Sequence, residues 1–161
     1  MPNWPGDDAV FPFCAPIIKQ FEGFRASPYL DSIGKPTIGY GTIQYPNGTA
    51  VTMKDAAVTE DQAEVYLKYE MGLKSAAIAP LLAQLATLHQ AAAMLSLAYN
   101  IGTGAFQGST VLRKFNAGDI AAAADAFLMW DKGTVNGQKV VIPGLLNRRT
   151  QERTLFLTAD G

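Results

Sequence analysis

The sequence predicts an α+β chain, with a small antiparallel sheet early and helices after it. Between Ser27 and Val51, Pro, Gly and Asn punctuate short β-prone pieces. Downstream, Thr59 with Gln62 and Thr87 with Gln90 repeat the capping-box pattern that opens a helix. Strands and helices do not alternate along the chain, so a parallel βαβ sheet is not expected.

Pro16 to Phe24 reads as a short helix. Ile17, Phe21 and Phe24 recur at i, i+4 and i+7 toward a core, and Gly23 is the stop signal. Glu22 is adjacent to Phe21, at the border of that apolar face, where a carboxylate is partly shielded from water. The β-prone pieces follow: Pro28-Tyr29-Leu30, Thr37-Ile38-Gly39-Tyr40 and Ile43-Gln44-Tyr45, with turns at Gly34-Lys35 and Pro46-Asn47-Gly48. Asp31 then falls near one turn and Thr37 opens the next strand. The helix starting at Thr59 runs to about Ile78, with Pro80 marking its end. The helix starting at Thr87 sets Leu88, Ala92, Leu95 and Tyr99 on one face, and its Ala-rich stretch Ala91 to Ala98 suits a central helix packed closely on most sides. Thr110 to Phe115 and Asp119 to Trp130 make two more helices, split by Gly118. Val135-Asn136-Gly137-Gln138 is an exposed hairpin, and Pro143 fits the first position of a last helix through Leu157.

A chain of 161 residues fits one domain. Residues 1–161 are read as a single unit, with a helix-and-sheet lobe over about 13–58, a helical lobe over about 59–161, and a groove between them. With 48% hydrophobic and 17% charged residues, the composition is that of an ordinary soluble protein. Cys14 is the only cysteine, so no internal disulfide is possible, and its setting before Ala15-Pro16-Ile17-Ile18 marks a small buried residue. Reliance on packing suits folding in a reducing cytoplasm. No N-terminal apolar stretch approaches the ~18–20 residues of a membrane span. Met1 to Asp8 carries no positive charge, so a secretory signal is not expected either. A net charge of −1, without a basic run interleaved with aromatics, argues against a nucleic-acid partner. Lys132, Lys139, Arg148, Arg149 and Arg153 nevertheless fall together late in the chain. His89 is the single histidine, near a helix start, and reads as structural; no motif supports a histidine metal site or a Ser-His-Asp triad around it.

Glu22, Asp31 and Thr37 spread two carboxylates and a hydroxyl across a helix end and a hairpin. Cleaving a glycosidic bond needs two carboxyl groups in opposite states. One holds a proton for the leaving oxygen; the other stays ionised to activate water or stabilise positive charge. Asp31-Ser32 before Ile33-Gly34 is also good turn chemistry, and both readings of Asp31 can hold. Thr37 is an ordinary strand residue by type.

Glu22-Gly23, eight residues between Glu22 and Asp31, then five more before Thr37-Ile38-Gly39-Tyr40-Gly41, resembles the phage lysozymes, the muramidase family of glycoside hydrolases. Ser96-Leu97-Ala98-Tyr99-Asn100-Ile101-Gly102 is similar to that family's central-helix segment. Ala105-Phe106, Ser109-Thr110-Val111-Leu112 and Asn116-Ala117-Gly118-Asp119 resemble the helices that follow, and Gly144-Leu145-Leu146-Asn147-Arg148-Arg149 with Glu152 the C-terminal helix. The likeness runs from about Phe13 to Leu157, with the motifs in the family's order. At Thr42 several relatives carry His, so a His–carboxylate pair open to them is absent here, which bears on stability.

The resemblance implies a lysozyme-like fold that hydrolyses the β-1,4 bond between N-acetylmuramic acid and N-acetylglucosamine in bacterial peptidoglycan, with inversion and without cofactor or metal. Glu22 would be the general acid. Asp31 would stay ionised and act on water or on the oxocarbenium-like transition state, and Thr37 would position the attacking water. Tyr99, Asn100 and Ser109 correspond to groove-facing substrate contacts. Arg148, with Arg149, would reach a peptide-stem carboxylate, an Asp near the groove, or a salt bridge. The implied biology is a monomeric phage or prophage lysis enzyme, held in the host cytoplasm and released to the periplasm and wall by a separate holin. An alternative is the lytic domain of a virion-associated protein, with Met1-Pro2-Asn3-Trp4-Pro5-Gly6 as a trimmed linker. A lytic transglycosylase and a non-catalytic wall-binding module are further alternatives; an intact Glu22, Asp31 and Thr37 argues against the last.

Overall fold

The computed structural model describes residues 3–160, so Met1 and Pro2 of the suggested linker lie outside the described residues. The first helix, α1, spans Asp7–Glu22 and starts nine residues earlier than Pro16. The helix expected from Pro16 is thus longer, and both Pro12 and Pro16 lie inside it. Each interior proline costs roughly 3 kcal/mol in an isolated helix. Here both stand on the exposed side, while Val10, Phe11, Cys14 and Ile18 bury the opposite face. Each large apolar side chain so buried returns ~1.5–3 kcal/mol. Asp7 and Asp8 in the first turn suit the positive end of the helix dipole. Asn3 ties this end to the body, accepting from Ala86 N through its carbonyl and donating its amide to Leu82 O at 2.8 Å.

The early sheet is smaller than expected. β1 (Arg25–Leu30) and β2 (Pro36–Gly39) pair antiparallel with Tyr29 opposite Thr37, Leu30 opposite Pro36 and Arg25 opposite Gly39. The third predicted piece, Ile43 to Tyr45, contributes only an isolated bridge, Gln44 to Ala50, after a bridge from Ile38 to Thr42. Gly39 and Gly41 both take positive φ (65° and 83°), which turns the chain out of the sheet before a third strand can form. Side chains hold the following loop instead. Tyr45 donates to Asp55 Oδ2 at 2.6 Å, and its ring meets Tyr66 edge-on.

The helical part follows the sequence closely. Both capping boxes form, opening α2 (Glu60–Ile78) and α3 (Leu88–Ile101). A short α4 (Thr103–Gln107) precedes α5 (Thr110–Asn116) and α6 (Ile120–Ala126), and the last passes into a 3-10 turn over Phe127–Trp130. β3 (Lys132–Val135) and β4 (Gln138–Val141) form the exposed hairpin around Asn136-Gly137. Pro143 opens α7 (Pro143–Leu157). Every residue from Ala91 to Ala98 is buried, and α1, α2 and α7 pack around α3. Phe156 of α7 meets Phe115 and Phe127, closing the core from the far side.

The start of α3 leaves none of its exposed amides unpaired. Gln90 Oε1 accepts from Thr87 N, Thr87 Oγ1 accepts from Gln90 N, and Asp160 accepts from both Leu88 N and His89 N. Asp160 also meets His89 Nδ1 at 2.5 Å. These bonds, Leu88's amide foremost, hold the Asp160 carboxyl below the usual carboxylate range. A carboxyl lowered on folding stabilises the fold above its unfolded value of ~3.9. That contribution is lost as pH falls through the lower folded value. The urea midpoint of Asp160→Asn should therefore lie below the parent's at pH 7, and the gap should close below about pH 3.

Candidate active site

Glu22 is the last residue of α1, and Gly23 at φ 69° ends the helix so that the side chain projects beyond it. Behind Glu22 lies Arg148 of α7, only 2% exposed, with Nη1 donating to Glu22 Oε1 at 3.4 Å. Its guanidinium also stands 5.8 Å from the Phe21 ring centroid. In front lies bare backbone. A Cβ added at Gly41 would come within 2.8 Å of Glu22 Oε2, so this oxygen opens over a residue without a side chain. Glu22 thus has a buried cation on one oxygen and the bare backbone of Gly41 close beside the other.

Asp31 and Thr37 sit at the β1–β2 turn. Asp31 Oδ1 accepts from Ile33 N at 3.0 Å and Lys35 N at 2.8 Å, an Asx-type turn that fixes the carboxylate. Its Oδ2 has no protein donor among the described residues. Thr37 donates Oγ–H to Lys35 O at 2.8 Å, which leaves its oxygen lone pairs as acceptors. Tyr29, the strand partner of Thr37, lies between the two carboxylates electrostatically. Burial pushes its phenol up first; Glu22 and Asp31 push the same way and Arg25 opposes them. The Arg25 guanidinium stands 4.2 Å from that ring's centroid.

Arg148 belongs to a buried cluster. Its Nε meets Glu152 Oε2 at 3.2 Å and its Nη2 donates to Ser96 O at 3.1 Å. Ser96 Oγ donates to Glu152 Oε2 at 2.5 Å, and Arg149 Nε lies 2.7 Å from Glu152 Oε1. Burial pushes the Glu152 carboxyl up, while Arg149, Arg148 and Ser96 pull it back. Burial likewise lowers Arg149, against Glu152. Cys14, on the buried face of α1, has its thiol pushed far up by burial, with Glu152 adding to the effect, so it stays protonated and unreactive.

The remaining sequence-derived residues are spread more widely. Tyr99, in the last turn of α3, donates a long bond to Tyr40 O at 3.4 Å; burial and then Glu22 push its phenol up. Asn100 beside it is exposed. Ser109 is 4% exposed and caps α5 by accepting from Leu112 N. Arg148 reaches Glu22 rather than an Asp, and Arg149 is fully buried against Glu152. Sequence reasoning gave no role to Tyr29, Gly41, Ser96 or Glu152. A signal existed for Glu152, since it lies three and four residues after two arginines on one helix. None existed for Gly41, whose importance depends on how the hairpin folds back on α1. A cavity of about 290 Å³ between α1 and α2, lined by Phe11, Pro12, Glu64 and Met71 among others, shares no residue with this site.

A carboxyl at a helix end, a second carboxyl bonded by two amides and a hydroxyl on the adjoining strand make a layout that suits a carboxyl-pair glycosidase. The phage lysozyme family model matches residues 19–152. The chain is 40% identical over 141 residues to the endolysin of Salmonella phage P22, covering 88% of this chain and 92% of that protein. The endolysin of the Escherichia coli phage FAHEc1 superposes with a TM-score of 0.85 at 39% identity, over 92% of each chain. The muramidase domain of SpmX from Asticaccaulis excentricus does so with 0.82 at 33% identity, over 93% of this chain and 98% of that one. The chain belongs to the phage lysozyme family, a family of glycoside hydrolases, and has the lysozyme-like fold. Among the described residues no helix is long and apolar enough to cross a membrane.

Proposed function

We propose that the chain is a muramidase that hydrolyses the β-1,4 bond between N-acetylmuramic acid and N-acetylglucosamine in bacterial peptidoglycan. Glu22 gives its proton to the glycosidic oxygen as the C1–O bond breaks. Asp31 takes a proton from water as its oxygen bonds to C1 from the opposite face, so the anomeric centre inverts. Thr37 orients that water by accepting one of its hydrogens. The observation that carries the reading is the contrast between the two carboxyl groups: Glu22 opens over bare Gly41, and Asp31 is locked by two backbone amides. The two amides fix the Asp31 carboxyl in one orientation, which leaves its other oxygen free for water.

Residues 1–161 act as one catalytic domain, with the sheet-bearing part and the helical part flanking the sugar chain. Tyr99 and Asn100 bind sugar at the end of α3, Ser109 contributes from the start of α5, and Arg148 acts from behind Glu22. The endolysin names of the relatives support lysis of a bacterial host as the biological role. The enzyme acts as a monomer, waits in the host cytoplasm and reaches the wall through a separate holin. Incubation with purified peptidoglycan, followed by reducing-end assay and mass analysis, tests the reaction. Reducing muramic ends are expected. Anhydro-muramic ends would make the protein a lytic transglycosylase, and binding without release would leave a wall-binding module.

A further inference from the structure

A proton donor backed by a guanidinium faces a conflict, because a cation within ~4–6 Å favours the ionised carboxyl. Arg148 makes one contact with Glu22, through Nη1 at 3.4 Å. The rest of its fork is engaged elsewhere: Nε by Glu152 and Nη2 by the Ser96 carbonyl. Glu152 is fully buried and is itself held by Ser96 Oγ and Arg149. With a guanidinium on each of its oxygens, Glu152 stands as a carboxylate in spite of its burial, and its charge offsets part of the arginine's field at Glu22. It also denies Glu22 the paired, fork-to-fork geometry in which arginine–carboxylate bonds are strongest.

Resting on the muramidase reading above, we propose that Glu152 is a positioning residue, whose charge and hydrogen bond hold Arg148 to a single contact with Glu22 and offset part of the arginine's charge there. Charged and titratable groups from several elements face the two carboxyls. Around Glu22 they are Arg148 from α7, Tyr99 from α3 and Tyr29 from β1, with Arg25 and Asp31 acting on the same phenol. Glu70 of α2 acts on the Tyr99 phenol. Around Glu152 they are Arg148 and Arg149 on its own helix, Ser96 from α3 and Cys14 from α1. Both phenols and the thiol are raised and stay neutral. Arg148 alone among the described residues bonds both carboxyls.

The test is the pH profile of peptidoglycan hydrolysis by the parent and by Glu152→Gln, which keeps the shape but removes the charge that competes with Glu22 for Arg148. The alkaline limb of kcat/KM should move down by about one pH unit. Above that limb the rate should fall about tenfold, with the plateau below it retained. A merely structural role would lower the rate by the same factor at every pH, and that result overturns the proposal. Because Glu152→Gln strips Arg149 of its partner, the double variant Glu152→Gln with Arg149→Gln is measured alongside, leaving Arg148 as the cluster's one charge. It should show the same shift, and an unshifted limb in it overturns the proposal even where the single variant fails to fold. A parent that releases no reducing ends would sink the muramidase reading itself, whereas an active parent with unshifted variants removes only the role of Glu152.

Discussion

Glu22→Gln is expected to lower kcat by ~10²–10⁴-fold, the range lost when a positioned proton donor is removed. Glutamine keeps the volume and an oxygen for Arg148, but it has no proton to give the leaving sugar. The stability cost should be small. The Glu22 side chain is 25% exposed and its contact with Arg148 is long. Partly exposed pairs of this kind contribute ~0–1 kcal/mol. Arg148 would also retain Glu152 and Ser96 as partners. Reducing-end release and a urea midpoint on the same preparation separate chemistry from folding. A silent variant with the parent's midpoint places Glu22 in the reaction, and an active one removes it.

Gly41→Ala should be nearly as damaging to turnover, for a different reason. The new methyl would stand 2.8 Å from Glu22 Oε2 and 3.2 Å from its Cδ, closer than real contacts allow. The carboxyl lies at the free end of its side chain, so it can swing aside and the backbone need not move. The folding penalty is then mainly that of an L-residue at φ 83°, roughly 1–2 kcal/mol. The catalytic penalty is displacement, where ~1 Å can cost ~10²-fold. The expected pattern is a modest fall in urea midpoint with a hundredfold loss of kcat. Full activity with the same fall in stability would show that the reaction does not use this position of the carboxyl.

The helical part of the fold was largely legible because its boundaries are written in local chemistry. Thr59 with Gln62, Thr87 with Gln90, and Pro143 each mark a helix start within a few residues, and all three do so in the structure. The reading failed where tertiary packing overrides local preference. α1 runs through Pro12 and Pro16 because its buried face outweighs two missing amide donors, a balance invisible to proline rules. The third strand is lost because Gly39 and Gly41 turn the chain away, and a β-prone triplet cannot report that. Within the site, Glu22, Asp31 and Thr37 stood out because their side-chain types suit the chemistry. Gly41 and Tyr29 did not, since one acts by lacking atoms and the other by its place opposite Thr37 in the strand register.

The enclosure of α3 has a consequence for how the molecule loses activity. Its amides from Ala91 to Ala98 are sealed on all sides. They should exchange with deuterated solvent only when the whole chain opens. Asp31 stands instead at the head of the exposed turn that joins two short paired strands, and this turn can open while α3 stays shut. Residue-resolved exchange should therefore show fast amides at Ser32 to Lys35 against slow ones in α3. On warming, turnover would cease before the helical signal changes and return on cooling without refolding, so the enzyme is silenced by fraying rather than by denaturation.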